Sequence, residues 1–135
     1  MRPDLEEEAR WWLAQARSDF SALDVLFRAG KYDLVCFLSQ QVAEKALKAY
    51  LIAQGEELIL SHSVARLCSM AAEFDPAFSD LRREIKALTP YYVEARYPNA
   101  LEEIPAVFFD ENDAQEAMEM AEKALRFVER RFEKT

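Results

Sequence analysis

The residues best equipped for chemistry lie in the middle of the chain. His62 is its one histidine, and imidazole can give or take a proton near neutral pH. It stands between Ser61 and Ser63, where a helix is expected to start, so it can also serve as a capping or core-edge residue. A second group is Gln40, Gln41, Glu44, Lys45 and Lys48. Glu44 is four residues from both Gln40 and Lys48, which allows an i,i+4 ion pair. Gln41, Lys45 and Lys48 share a helical face. That face is either solvated or a patch for phosphate or another subunit. A third group is Tyr91-Tyr92-Val93-Glu94-Ala95-Arg96-Tyr97-Pro98. Arginine offers a planar fork to phosphate or carboxylate, and tyrosines stack and hydrogen-bond. Arg96 is expected either to pair with an acid such as Glu44 or, with Tyr92 and Tyr97, to line a nucleotide or RNA pocket.

These residues have to be positioned by helices. Leu5, Ala9, Trp12, Ala16, Phe20, Leu23 and Phe27 repeat every three or four residues and predict helix one over 4–29. Asp4 is its expected cap. Trp11 and Trp12 are adjacent, so one must leave the core. Helix two is predicted over 32–54, with Leu34, Leu38, Val42, Ala46, Ala49 and Ile52 as its apolar stripe. Phe37 falls beside that stripe, next to the polar cluster. Gly30 and Gly55 are the expected helix stops. Helix three starts near 61–63. Helix four starts after Asp75-Pro76, and Pro90 kinks it or ends it early. Residues 97–109, with two prolines, read as an ordered loop. Helix five covers 110–132, with Asp110 and Asp113 as a capping pair. No strand is required. The expected fold is an all-α, up-and-down bundle of about five helices in a single domain over 1–135.

Bulk composition narrows the function. Twenty-five acids against 17 bases give a net charge of -8, which argues against a broad nucleic-acid-coating groove. The charge is uneven, with four bases against two acids in both 28–50 and 81–96, and ten acids against five bases from 97 onward. A local anion site is therefore compatible with an acidic whole. Glycine-rich phosphate loops are missing, and one histidine cannot build a zinc site alone. Cys36 and Cys68 read as buried thiols of a reducing compartment. No apolar run is long enough for a bilayer, and the acidic start does not read as a secretory leader. A cytoplasmic protein without cofactor or metal is expected.

Several segments together resemble the HEPN domain family: Trp12 to Asp19, Gly30-Lys31-Tyr32, Gln40 to Ala49, His62 to Leu67, then Tyr92 and Arg96-Tyr97-Pro98. The likeness spans nearly the whole chain. It implies a helical bundle, commonly a homodimer. It also implies partnership with a minimal nucleotidyltransferase protein in a toxin-antitoxin-like pair, with nucleotide or RNA binding. Gln41, Lys45, Lys48, His62, Tyr92, Arg96 and Tyr97 then become ligand or phosphate contacts, and Glu44 the structural member of a polar pair. Other members of the family are metal-independent ribonucleases, with arginine and histidine four to six residues apart on one helix. Here no histidine follows Arg96, and the His62–Arg66 pair has the reverse order. A ribonuclease using His62 with Arg66 or Arg96 is one alternative. A purely structural antitoxin or scaffold, covering a partner with its acidic C-terminal half, is another.

Overall fold

The computed structural model describes residues 4–133, and their regular structure is entirely helical. Helix α1 runs Leu5–Arg28 and α2 Tyr32–Ala53. The shorter α3 (Val64–Ala72) and α4 (Phe78–Ile85) follow, and a 3-10 turn covers Lys86–Leu88. Three single-turn helices come next: α5 (Tyr91–Glu94), α6 (Pro98–Leu101) and α7 (Pro105–Phe108). The long α8 spans Glu111–Glu133. The five helices expected from periodicity are thus α1, α2, α3, α4 and α8.

Local chemistry sets their ends. The Asp4 carboxylate accepts from the Glu6 N–H, and three glutamates occupy the positive end of α1. Gly30 (φ +74°) and Gly55 (φ +106°) hold the left-handed position after α1 and α2. At each, the next residue's N–H reaches back to close the helix: Lys31 to the Leu26 carbonyl, and Glu56 to that of Leu51. Ser63 caps α3 by accepting from the Arg66 N–H. Asp110 and Asp113 accept each other's backbone N–H at the start of α8.

Helix α2 is the centre of the molecule. It packs against α1, α8 and α3, with α5 and α7 at its first turns. This explains a departure from the predicted stripe. From Val42 to Ile52 every residue but Lys45 is buried, whereas Leu34, at the exposed start, is not. A helix surrounded on most sides has no single apolar face. Against it lies α8, whose buried side is Ala114, Ala117, Ala121, Ala124, Leu125 and Val128. Such small side chains let helix axes approach closely. Phe78 anchors α4 between the rings of Tyr50 and Phe127, at 4.5 and 4.7 Å. Trp11 is the tryptophan that leaves the core, at 55 % exposure, while Trp12 is half-buried.

Of the two alternatives at Pro90 the early end is the one seen, and the expectation of a loop after it needs correction. Helix α4 ends at Ile85, five residues before Pro90, and Pro90 caps a new short helix instead of kinking the old one. The stretch 97–109 is more than a loop. Pro98 and Pro105 each open a helical turn at the first position, where a missing N–H costs no hydrogen bond. Glu102, at φ +56°, reverses the chain between them.

Candidate functional site

The site is built outward from Glu44, a carboxylate only 5 % exposed in mid-α2. A buried charge survives only when paired and hydrogen-bonded. Lys48, one turn on and 6 % exposed, places its ammonium 2.9 Å from Oε2. The Gln40 amide donates to Oε1 at 3.0 Å, and the Gln41 amide also reaches it at 3.3 Å. His62 Nδ1 completes the set, 3.1 and 3.2 Å from the two oxygens. Burial alone would push the Glu44 carboxyl up. The hydrogen bonds from Lys48 and Gln40, the Lys48 charge and the His62 contact outweigh it and hold the group below the usual glutamate value. Because an ionised carboxylate only accepts, Nδ1 carries the proton. Gln40 fixes the same corner a second time by donating to the His62 carbonyl at 2.9 Å.

His62 is the outer end of this buried network, with its side chain 47 % exposed. Its ring stacks on Tyr92 of α5, centroids 4.1 Å apart and planes within 8°. The Arg96 guanidinium lies against the same Tyr92 ring at 4.4 Å and also over Phe37 (4.6 Å) and Tyr97 (4.8 Å). Arg96 Nε donates to the Tyr92 carbonyl at 2.7 Å. His62, Tyr92, Arg96 and Tyr97 therefore form a continuous row of flat, polarizable groups along one edge of the bundle. A shallow groove of about 360 Å³ runs beside it, lined by His62, Ser63, Thr89, Tyr92, Glu94 and Ala100 among others.

The predicted site residues divide. Gln41, Glu44, Lys48, His62, Tyr92, Arg96 and Tyr97 are linked through this network and row. Lys45 is not part of it: it points to α1 and pairs with Asp19 at 2.6 Å. Lys48 belongs to the site through Glu44 rather than as a free cation, with its ammonium 5.6 Å from the Trp12 ring. The suggested Arg96–Glu44 ion pair does not form: Arg96 lies against three aromatic rings and donates to the Tyr92 carbonyl instead. The sequence marks Phe37 only as a neighbour of the polar cluster; its role as a wall for Arg96 is visible in the structure alone. The one signal for it is its position on α2, a turn before Gln40 and Gln41. Thr89 carries no signal in the sequence. Its hydroxyl accepts from the Ala65 N–H and ties the groove wall to α3.

No group of three His, Cys, Asp or Glu among the described residues could hold a metal ion. Cys36 and Cys68 are buried, and burial pushes both thiols up to about 12, with the Asp113 charge adding to the effect at Cys36. Neither is a ready nucleophile.

Residues 9–131 match the family model of the HEPN domain. The chain belongs to the HEPN family. Solved structures agree. TT1696 from Thermus thermophilus is 36 % identical, with a TM-score of 0.82 over 90 % of this chain and 96 % of its own. ST0689, described as an archaeal HEPN homologue, is 33 % identical, with a TM-score of 0.76 over 91 % of this chain and 96 % of its own. No curated protein matches the sequence. The HEPN bundle here contains, among its described residues, no helix long and apolar enough to cross a membrane.

Proposed function

We propose that this HEPN protein is a binding module whose aromatic-cationic edge contacts a nucleotide or RNA. In this reading it forms a homodimer and acts as the partner subunit of a minimal nucleotidyltransferase in a toxin-antitoxin-like pair. One observation carries the ligand part: a half-exposed imidazole, pinned from below by a buried carboxylate, shares the Tyr92 ring with the Arg96 guanidinium. Stacked rings receive bases, and a guanidinium receives phosphate. Within an acidic molecule, such an edge is a local exception. The partner part is supported by two surfaces. Val93, Tyr97, Ile104, Val107 and Phe108 leave apolar side chains exposed along 93–108. The acidic C-terminal half complements a basic surface on a partner.

Titration with nucleotides and short RNA at several salt concentrations tests the ligand part. Arg96→Ala is expected to weaken binding about tenfold and flatten its salt dependence. Absence of salt-sensitive binding by the wild type removes this reading. Co-purification with the product of an adjacent nucleotidyltransferase gene tests the partner part.

A second reading has its own support. With Nδ1 committed to Glu44, His62 Nε2 is available as a proton acceptor, as in a general base held in one tautomer. A metal-independent ribonuclease predicts RNA cleavage in EDTA that is lost in His62→Ala. Intact RNA after long incubation excludes it.

A further inference from the structure

Helices α1 and α8 both rest on α2 and run antiparallel to each other. Arg17 of α1 pairs with Glu129 of α8, and one turn along the Arg126 guanidinium lies 5.5 Å from the Phe20 ring. Beyond that point the two helices leave an open groove of about 280 Å³. Its floor is Phe20 and Phe27 from α1 and Met118 from α8, each half-buried against the core. Its rim is Asp24, Glu119 and Glu122, all exposed. Neither Lys nor Arg lines it.

The charge of this groove sets it apart from its neighbour. On the other side of α8, toward α4, a groove over Leu81 and Phe127 carries Lys123, Arg126 and Arg130 beside its glutamates. Carboxylates there are answered by cations of the same wall. Between α1 and α8 the answer is incomplete. Asp24 has Arg28 at 2.6 Å, but Glu122 reaches Arg126 only at 3.7 Å, since Arg126 sits closer to Glu129. Glu119 has no ion-pair partner among the described residues. Arg126 itself shows what suits this place: a cation against an aromatic ring, with carboxylates beside it.

Spacing adds a shape to the charge. Phe20, Asp24 and Phe27 on one wall step by four and three, and Gln115, Met118 and Glu122 on the other by three and four. Each row covers two helical turns, about 10 Å of axis. An amphipathic helix offers an apolar ridge with the same step, and a groove between two helices accepts such a ridge. We propose that the α1–α8 groove docks a basic amphipathic helix of a partner protein. Its apolar ridge meets Phe20, Phe27 and Met118, and flanking lysines or arginines meet Asp24, Glu119 and Glu122. The inference rests on the reading that this chain has a protein partner, and it names the face that receives it. Nothing in it depends on the Tyr92–Arg96 edge.

Two measurements on the full chain test it. The first uses a synthetic peptide of about 18 residues with leucine on one helical face and lysine on the other. One control has the same composition in shuffled order, and another has glutamate in place of lysine. The patterned basic peptide is expected to bind at least about tenfold tighter than either control. Amide shifts in NMR should gather at 20–27 and 115–122. Glu119→Lys should weaken binding about threefold to tenfold. Glu84→Lys, on the α4 side of α8, makes the same change in net charge and should leave binding nearly unchanged; both are exposed positions that the fold tolerates. Equal losses in the two variants, shifts that gather elsewhere, controls that bind as well, or no binding at all would each overturn the groove.

The second measurement repeats co-purification with the adjacent nucleotidyltransferase product, using the double variant Asp24→Lys with Glu119→Lys. Loss of the partner from the double variant, with wild type and Glu84→Lys retaining it, is the expected result. Equal retention by all three overturns the groove as the docking face and spares the partner reading. Peptide binding that maps to the groove, with no co-purification even by the wild type, overturns that partner and leaves the groove standing.

Discussion

Two glutamates in this molecule hold similar sets of partners and do different work. Glu44 is met by Lys48, Gln40, Gln41 and His62 inside the bundle. Glu129 of α8 is met by Arg17 of α1 and by Arg126. Both carboxyls are held below the ordinary glutamate range. At Glu129, burial pulls upward and the hydrogen bonds and charges of Arg17 and Arg126 pull down harder. The difference lies in what remains free. The arginines around Glu129 are about half exposed, and the cluster joins α1 to α8 at the surface. The Glu44 cluster is sealed at Lys48 and opens at His62, a side chain that solvent reaches. A buried polar network next to a half-exposed imidazole is therefore a better marker of a site than an ion-pair count.

The largest expected effect separates the two. Glu44→Ala leaves Lys48 as a buried, uncompensated cation and should cost about 3–5 kcal/mol in chemical denaturation. Glu129→Ala breaks pairs with solvent-exposed arginines and should cost about 1 kcal/mol or less. Similar costs for both would erase the distinction. Acid provides a second contrast. Each carboxyl has a folded value below its unfolded one, so its contribution is complete above the ordinary value of 4.5 and drains as pH falls below it. The wild type should lose stability steeply on that limb. Glu44→Gln and Glu129→Gln should each flatten the limb, as read by denaturation midpoints from about pH 6 to 3. The smallest effect concerns Lys45. Its partly exposed pair with Asp19 joins α2 to α1 outside the site. Lys45→Ala should cost about 1 kcal/mol or less and leave any nucleotide affinity unchanged; a large loss of binding would bring Lys45 back into the site.

Much of this was legible in the chain. Three-and-four spacing located the long helices, and Gly30, Gly55, Asp4 and the Asp110–Asp113 pair marked their ends, because these signals act within a few residues. The Glu44–Lys48 pair was legible for the same reason. What could not be read was which way long side chains turn. Lys45 and Lys48 fall on one face of α2 by spacing, yet one finds Asp19 and the other Glu44, a choice made by α1. Arg96 could have paired with an acid; the position of α5 over Phe37 gave it rings instead. Helix α2's stripe failed where neighbours on most sides removed the contrast between faces. The short helices after Tyr97 escaped notice because proline was read as a breaker when it was acting as a starter.

The alanine seam of α8 has a mechanical consequence. Helix α2 carries Glu44 and Lys48 on the same rod that lies against Ala114, Ala117, Ala121 and Ala124. Closely seated helices leave few gaps into which either could slide. The footing of the imidazole is thus set when the chain folds, before any visitor arrives. Recognition at this edge should resemble a key meeting a finished lock, with little ordering left for the moment of contact.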